Sequence, residues 1–99
     1  MILNGVEVKI DQLFEPIIKI LNEKGYITLF CCSGHKGNSR SYIYFHPEVD
    51  LPNYPPYYQY EYPNIIKRHL NDSELISNAN KVLKWAQKLP INPIKIYEE

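Results

Sequence analysis

Between residues 47 and 63 the chain reads PEVDLPNYPPYYQYEYP, with five prolines and five tyrosines in the middle of a 99-residue sequence. Proline removes a backbone donor and blocks a helix interior, so this stretch is excluded from helix and from any central strand. Its tyrosine density argues against a fully solvated tail. The segment reads as a long loop or functional flap whose tyrosines pack down on something. With so short a chain, the flanking segments are expected to share one core in a single domain, residues 1–99.

Those flanking segments are periodic. Residues 6-VEVKI-10 alternate as a half-buried strand does. Residues 11–25 place Leu13, Phe14, Ile17, Ile18, Ile20 and Leu21 on one helical face, with Asp11 able to cap and Gly25 suited to a left-handed stop. Pro16 requires the regular helix to begin near it, or to kink there. Residues 26-YITLFCC-32 and 42-YIYFH-46 alternate again, and the loop between them suggests a hairpin. Residues 64–70 read as a short helical turn. A second helix over 72–90 carries an apolar stripe from Leu75 to Leu89, with Asn71 or Asp72 as its cap, and 94-IKIY-97 reads as a last strand.

The resulting order is β-α-β-β-α-β, which predicts an α+β, ferredoxin-like sandwich: an antiparallel sheet with two helices on one face. Loss of the first strand would leave a three-stranded α+β sandwich. In either case Ile27, Leu29, Cys31, Ile43 and Phe45 should face the helices, with Val6, Val8, Ile10, Ile94 and Ile96. Tyr26, Phe30, Cys32, Tyr42, Tyr44, His46 and Tyr97 should face away, with Glu7 and Lys9 among them. A sheet open on one side normally turns polar residues outward. An outward aromatic patch marks a contact surface. The flap, a second copy of the chain, or a ligand stacked on tyrosine could cover it.

Eleven basic and eleven acidic side chains give a formal net charge of zero. That balance argues against a dedicated nucleic-acid binder, whose affinity rests on cationic excess. No apolar run approaches the ~20 residues of a membrane span, and no basic flank with an apolar stretch opens the chain, so a cytoplasmic protein without a membrane partner is expected. The neighbouring Cys31 and Cys32 make a poor disulfide pair.

The loop 30-FCCSGHKGNSRS-41 carries the chemistry. Cys31, Cys32 and His35 are metal-ligating types, but adjacent strand cysteines point to opposite faces, so a four-ligand zinc set is not expected, nor any other cofactor. Cys32 with His35 is a candidate nucleophile pair that lacks a third, orienting group. Ser33, Gly34, His35, Lys36 and Arg40 form a candidate anion cradle of backbone N–H groups and positive charge. Tyr42 and Tyr44, just beyond it, offer a stacking surface.

The run 21-LNEKGYITLFCCSGH-35, followed by YIYF, resembles small proteins of low-GC Gram-positive bacteria and their phages that share an LN-x-KGY-x-T-x-x-C-SGH pattern, and 83-LKWAQKLP-90 is similar to their C-terminal helix. The resemblance covers about half of the chain and carries no established activity. A looser likeness links residues 31–35 to the Ser-Cys-Ser-Gly-Arg motif of the wybutosine tRNA methyltransferase family. His35 replaces that arginine and the rest of such an enzyme is missing, so methyl transfer is not implied. A phage or mobile-element setting would suit a small nucleotide-binding protein, for instance one that sequesters a defence signal, and equally a protein that inhibits a host protein by direct contact.

The expectation is a non-enzymatic, homo-oligomeric domain that binds a small phosphorylated, nucleotide-like ligand through Ser33, Gly34, His35, Lys36, Arg40, Tyr42 and Tyr44. The alternatives are a protein–protein interaction module, such as a host-protein inhibitor using the aromatic face, and an enzyme built on Cys32.

Overall fold

The computed structural model describes residues 11–35, 37 and 40–94, and the backbone of 2–3 and 6–7. Two short strands, β1 (Ile2–Leu3) and β2 (Val6–Glu7), pair antiparallel with each other. Helix α1 (Glu15–Glu23) follows, then β3 (Thr28–Cys32), β4 (Arg40–Phe45), β5 (Gln59–Glu61) and β6 (Ile65–His69). A single 3-10 turn, Asp72–Glu74, leads into α2 (Leu75–Lys88). The four later strands form one antiparallel sheet in the order β3-β4-β6-β5.

The class is α+β with an antiparallel sheet and two helices, but the order is not β-α-β-β-α-β. Residues 64–70, expected as a helical turn, are the inner strand β6. Ile66 is fully buried there while Ile65 and Lys67 turn to the other face, a period of two that the adjacent Ile65-Ile66 pair obscures in the sequence. The Pro/Tyr-rich segment supplies β5, an edge strand, where neighbouring prolines are tolerated. Of the expected strand 6–10, only Val6–Glu7 is described, and it pairs with β1, outside the main sheet. Of the expected strand 94–97, Ile94 lies in a bend and is exposed, and the other three residues lie outside the described chain.

The helices form where the sequence allows. Pro16 sits in the first turn of α1, where its missing donor costs nothing. Gly25, at φ +92°, ends α1: its N–H donates to Asn22 O and that of Tyr26 to Leu21 O, closing a Schellman turn. The core draws Phe14, Ile17, Ile18 and Leu21 from α1, Ile43, Phe45 and Ile66 from the sheet, and Ala79, Val82, Trp85 and Ala86 from α2. Lys24 joins the helices by donating from Nζ to the carbonyls of Ala86, Gln87 and Leu89 at 3.0, 2.8 and 2.6 Å, satisfying the C-terminal end of α2.

A bulge in β3 reverses two expected facings. Thr28 lies opposite Phe45 and Phe30 opposite Tyr44, so Leu29 is the extra residue and is exposed. Thr28 takes the inward position, where its hydroxyl accepts a hydrogen bond from Asn22 Nδ2 at 2.9 Å. Tyr26, expected outward, is buried, and its hydroxyl donates to Pro90 O at 2.7 Å. The flap packs on the helix side: Val49 and Tyr58 are buried, and Trp85 Nε1 donates to Asn53 Oδ1. It does not cover the aromatic face.

Candidate functional site

The face of the sheet turned away from the helices is read directly from its register. Arg40 lies opposite His69, Tyr42 opposite Lys67 and Tyr44 opposite Ile65, while Phe30 and Cys32 of β3 lie opposite Tyr44 and Tyr42. Gln59 and Glu61 of β5 complete the face opposite Lys67 and Ile65. Opposed residues share a face, so Arg40 and His69 stand together at one end of this surface, Lys67 beside Tyr42, and Tyr44 with Phe30 toward the other end.

The rings are available. Phe30 is 64% exposed and meets Tyr44 edge-on with centroids 5.7 Å apart, while Tyr42 and Tyr44 are half-buried. Such an edge-to-face pair fixes both rings and leaves a π surface free. Lys67 Nζ is 2.6 Å from Glu61 Oε1. The hydrogen bond from Lys67, then its charge, then the charge of Arg40 hold the Glu61 carboxyl below its ordinary range. Next to Lys67, at the end of β6 that β5 leaves unpaired, a cleft of about 430 Å³ is lined by Tyr57, Gln59, Lys67, Arg68, His69 and Glu74. Its volume falls within the range of small-ligand sites. Tyr57 lies over the Arg68 guanidinium, 4.7 Å from ring centroid to Cζ, and holds a left-handed φ of +69°.

The loop residues behave differently from Arg40, Tyr42 and Tyr44. Ser33 is buried and donates from both N and Oγ to Asp11 Oδ2, at 3.2 and 2.7 Å. Gly34, at φ +99°, is packed so closely that an added Cβ would stand 3.0 Å from Leu75 Cδ2; its N–H donates to Cys32 Sγ at 3.4 Å. His35 is exposed, with Nε2 4.0 Å from Asp11 Oδ2. The Ser33 donors already serve the Asp11 carboxylate, and an anion placed there would meet its charge. Lys36 lies outside the described residues. Cys31 faces inward and packs against the core; burial, then Asp11, then Cys32 push its thiol up to about 12, so it stays protonated at neutral pH.

Three participants were hidden from sequence reasoning. Asp11 reads as a helix cap, and its Oδ1 does accept the N–H of Leu13, but Oδ2 reaches the end of β3. Lys67 and His69 fall in the segment that reads as a turn. Only the alternation of Ile66 against Lys67 and Ile65 could have revealed them.

Comparison of the chain with protein-family models, with curated proteins and with solved structures finds no match. The functional reading therefore rests on the geometry of the site. Among the described residues, no helix is long and apolar enough to cross a membrane.

Proposed function

We propose that this protein is a non-enzymatic binding domain that recognises a small phosphorylated, nucleotide-like ligand on the open face of its sheet. One observation carries the reading: the cross-strand order Arg40/His69, Tyr42/Lys67, Tyr44/Ile65 sets a cationic end beside a stacking end. A planar base would lie on Tyr42, Tyr44 or Phe30, since aromatic stacking contributes about 1–3 kcal/mol per base. Its phosphate would take charge-assisted hydrogen bonds from Arg40 and His69, with Lys67 exchanging part of its contact with Glu61. In the phage or mobile-element setting that the sequence resemblance implies, such a domain would sequester a cytoplasmic signal.

The test is a titration of the protein with adenosine and guanosine and with their mono-, di- and triphosphates, followed by intrinsic fluorescence and calorimetry. The reading expects binding that needs the phosphate, and a loss of at least tenfold in affinity for both Arg40→Ala and Tyr42→Ala. Equal affinity for nucleoside and nucleotide, or none for either, contradicts it.

A second reading has its own observation. Tyr57 and Tyr62 are 71% and 84% exposed, and Tyr54 stacks on Tyr60 at 6.1 Å beside edge strand β5. Exposed tyrosines along a sheet edge suit a protein partner or a second copy of the chain. Light scattering of the pure protein separates self-association from monomeric ligand binding.

A further inference from the structure

Where β3 ends, three side chains from two parts of the chain converge. Asp11 and Cys32 each bring one ligand-type atom and His35 one ring nitrogen, and all three atoms lie within 4.8 Å of one another. His35 Nε2 lies 4.0 Å from Asp11 Oδ2.

Two chemistries use these residue types. A thiol–imidazole–carboxylate relay needs the imidazole in the middle, with one nitrogen for each neighbour and the outer groups held apart. Here Asp11 and Cys32 are themselves within the same 4.8 Å, so the donors form a closed triangle around one point. A closed triangle is the arrangement for a shared cation. Oxygen, sulfur and nitrogen donors together suit a borderline-soft ion such as Zn²⁺, with bonds of about 2.0–2.3 Å. Tetrahedral donors at those bond lengths stand about 3.4–3.8 Å apart. Separations of up to 4.8 Å exceed these by about 1 Å, so all three donors must draw inward to share one ion.

The surroundings already orient two of the three donors. Asp11 Oδ2 accepts from Ser33 N and Ser33 Oγ and Oδ1 from Leu13 N, so the carboxylate is held in place and its remaining open acceptor position is on Oδ1. The Gly34 N–H donates to Cys32 Sγ and fixes the direction of that sulfur. Outer hydrogen bonds of this kind orient metal ligands. Cys31 takes no part, because its side chain turns to the core.

We infer that Asp11, Cys32 and His35 form a three-residue site for Zn²⁺ or a divalent ion of like chemistry, with the fourth position left to water or a ligand group. The inference is independent of the ligand platform, although Cys32 stands opposite Tyr42.

The experiment titrates untagged, chelator-treated protein with Co²⁺, then displaces it with Zn²⁺. One Co²⁺ per chain is expected, with a thiolate-to-cobalt charge-transfer band that Zn²⁺ abolishes and protons released on binding. Cys32→Ser should eliminate the band and His35→Ala should weaken binding at least tenfold, both with unchanged circular dichroism. Ser33→Ala should weaken it about 10–100-fold, as loss of an outer hydrogen bond does. Cys31→Ala and Arg40→Ala should leave it intact. Absence of the band, its survival in Cys32→Ser, or undiminished affinity in His35→Ala overturns the inference, whatever the platform binds.

Discussion

Tyr58 Oη lies 2.6 Å from Ser41 Oγ, and this bond fastens the tyrosine-rich segment to the inner face of β4. Asn78 Nδ2 of α2 donates to the same Tyr58 oxygen at 2.9 Å, while Asn78 Oδ1 accepts from Arg68 Nη1 at 2.9 Å. Flap, sheet and helix thus meet in one buried polar network. Among the described residues, no buried side-chain nitrogen or oxygen lacks a partner. A satisfied network of this kind selects one arrangement of the elements it joins.

Tyr58→Phe keeps the ring and removes the bonds of Ser41 and Asn78 to its hydroxyl, leaving those two side chains bonded to each other at 3.4 Å. It should lower stability by about 0.5–1.5 kcal/mol, the net worth of a buried hydrogen bond. Denaturant unfolding checks this. An unchanged midpoint would show that the flap is held by its apolar contacts alone.

Lys24→Met retains the aliphatic stem but removes the ammonium from three carbonyls at the end of α2. A loss of about 1.5–3 kcal/mol is expected, as for hydrogen bonds to a charged group. Amide exchange should rise selectively across residues 85–89. A uniform rise over the whole chain would contradict a local capping role.

Cys31 sets an alkaline limit. Its folded thiol is raised to about 12, above the ordinary ~8.5. Between those values the unfolded chain has lost the proton that the folded chain keeps, so the unfolded state binds fewer protons and stability falls as pH rises. Tyr26 and Tyr58, both raised by burial, add the same sign above ~10. Cys31→Ala should flatten the decline between pH ~8.5 and ~10 in thermal melts. Identical slopes in the two proteins would refute the assignment.

Glu61 reports the electrostatics of the open face. Lys67→Met removes its hydrogen-bond partner and nearest charge, so its carboxyl should return toward the ordinary ~4.3. The depressed value stabilises the folded chain above the ordinary carboxylate range, and that contribution fades as the pH falls through the folded value. NMR titration of the Glu61 side chain in both proteins measures the change.

Which parts of this architecture the sequence discloses depends on how local the physics is. Pro16, Gly25 and the Leu75–Leu89 stripe act within one turn or one face, and both helices stand where those residues put them. The alternation of Ser41, Ile43 and Phe45 against Tyr42 and Tyr44 is likewise local, and β4 obeys it. Leu29 could not be placed from sequence, because a bulge is defined by the partner strand, which passes from Phe45 to Tyr44 while β3 advances two residues. Ile65 and Ile66 are adjacent, so neither period was decisive until β4 claimed one face. Asp11 joins Cys32 and His35 across more than twenty positions, a proximity that only the packed end of β3 creates. Arg40, Tyr42 and Tyr44 were legible as a group because one strand carries all three.

Native mass spectrometry of the protein purified from the cells that make it tests whether the open sheet face holds a phosphorylated, nucleotide-like ligand. A co-purifying phosphorylated compound is expected, released on denaturation and missing from an Arg40→Ala/Tyr42→Ala double variant that keeps its fold. A protein recovered without such a compound, or one whose bound compound survives the double variant, would contradict it.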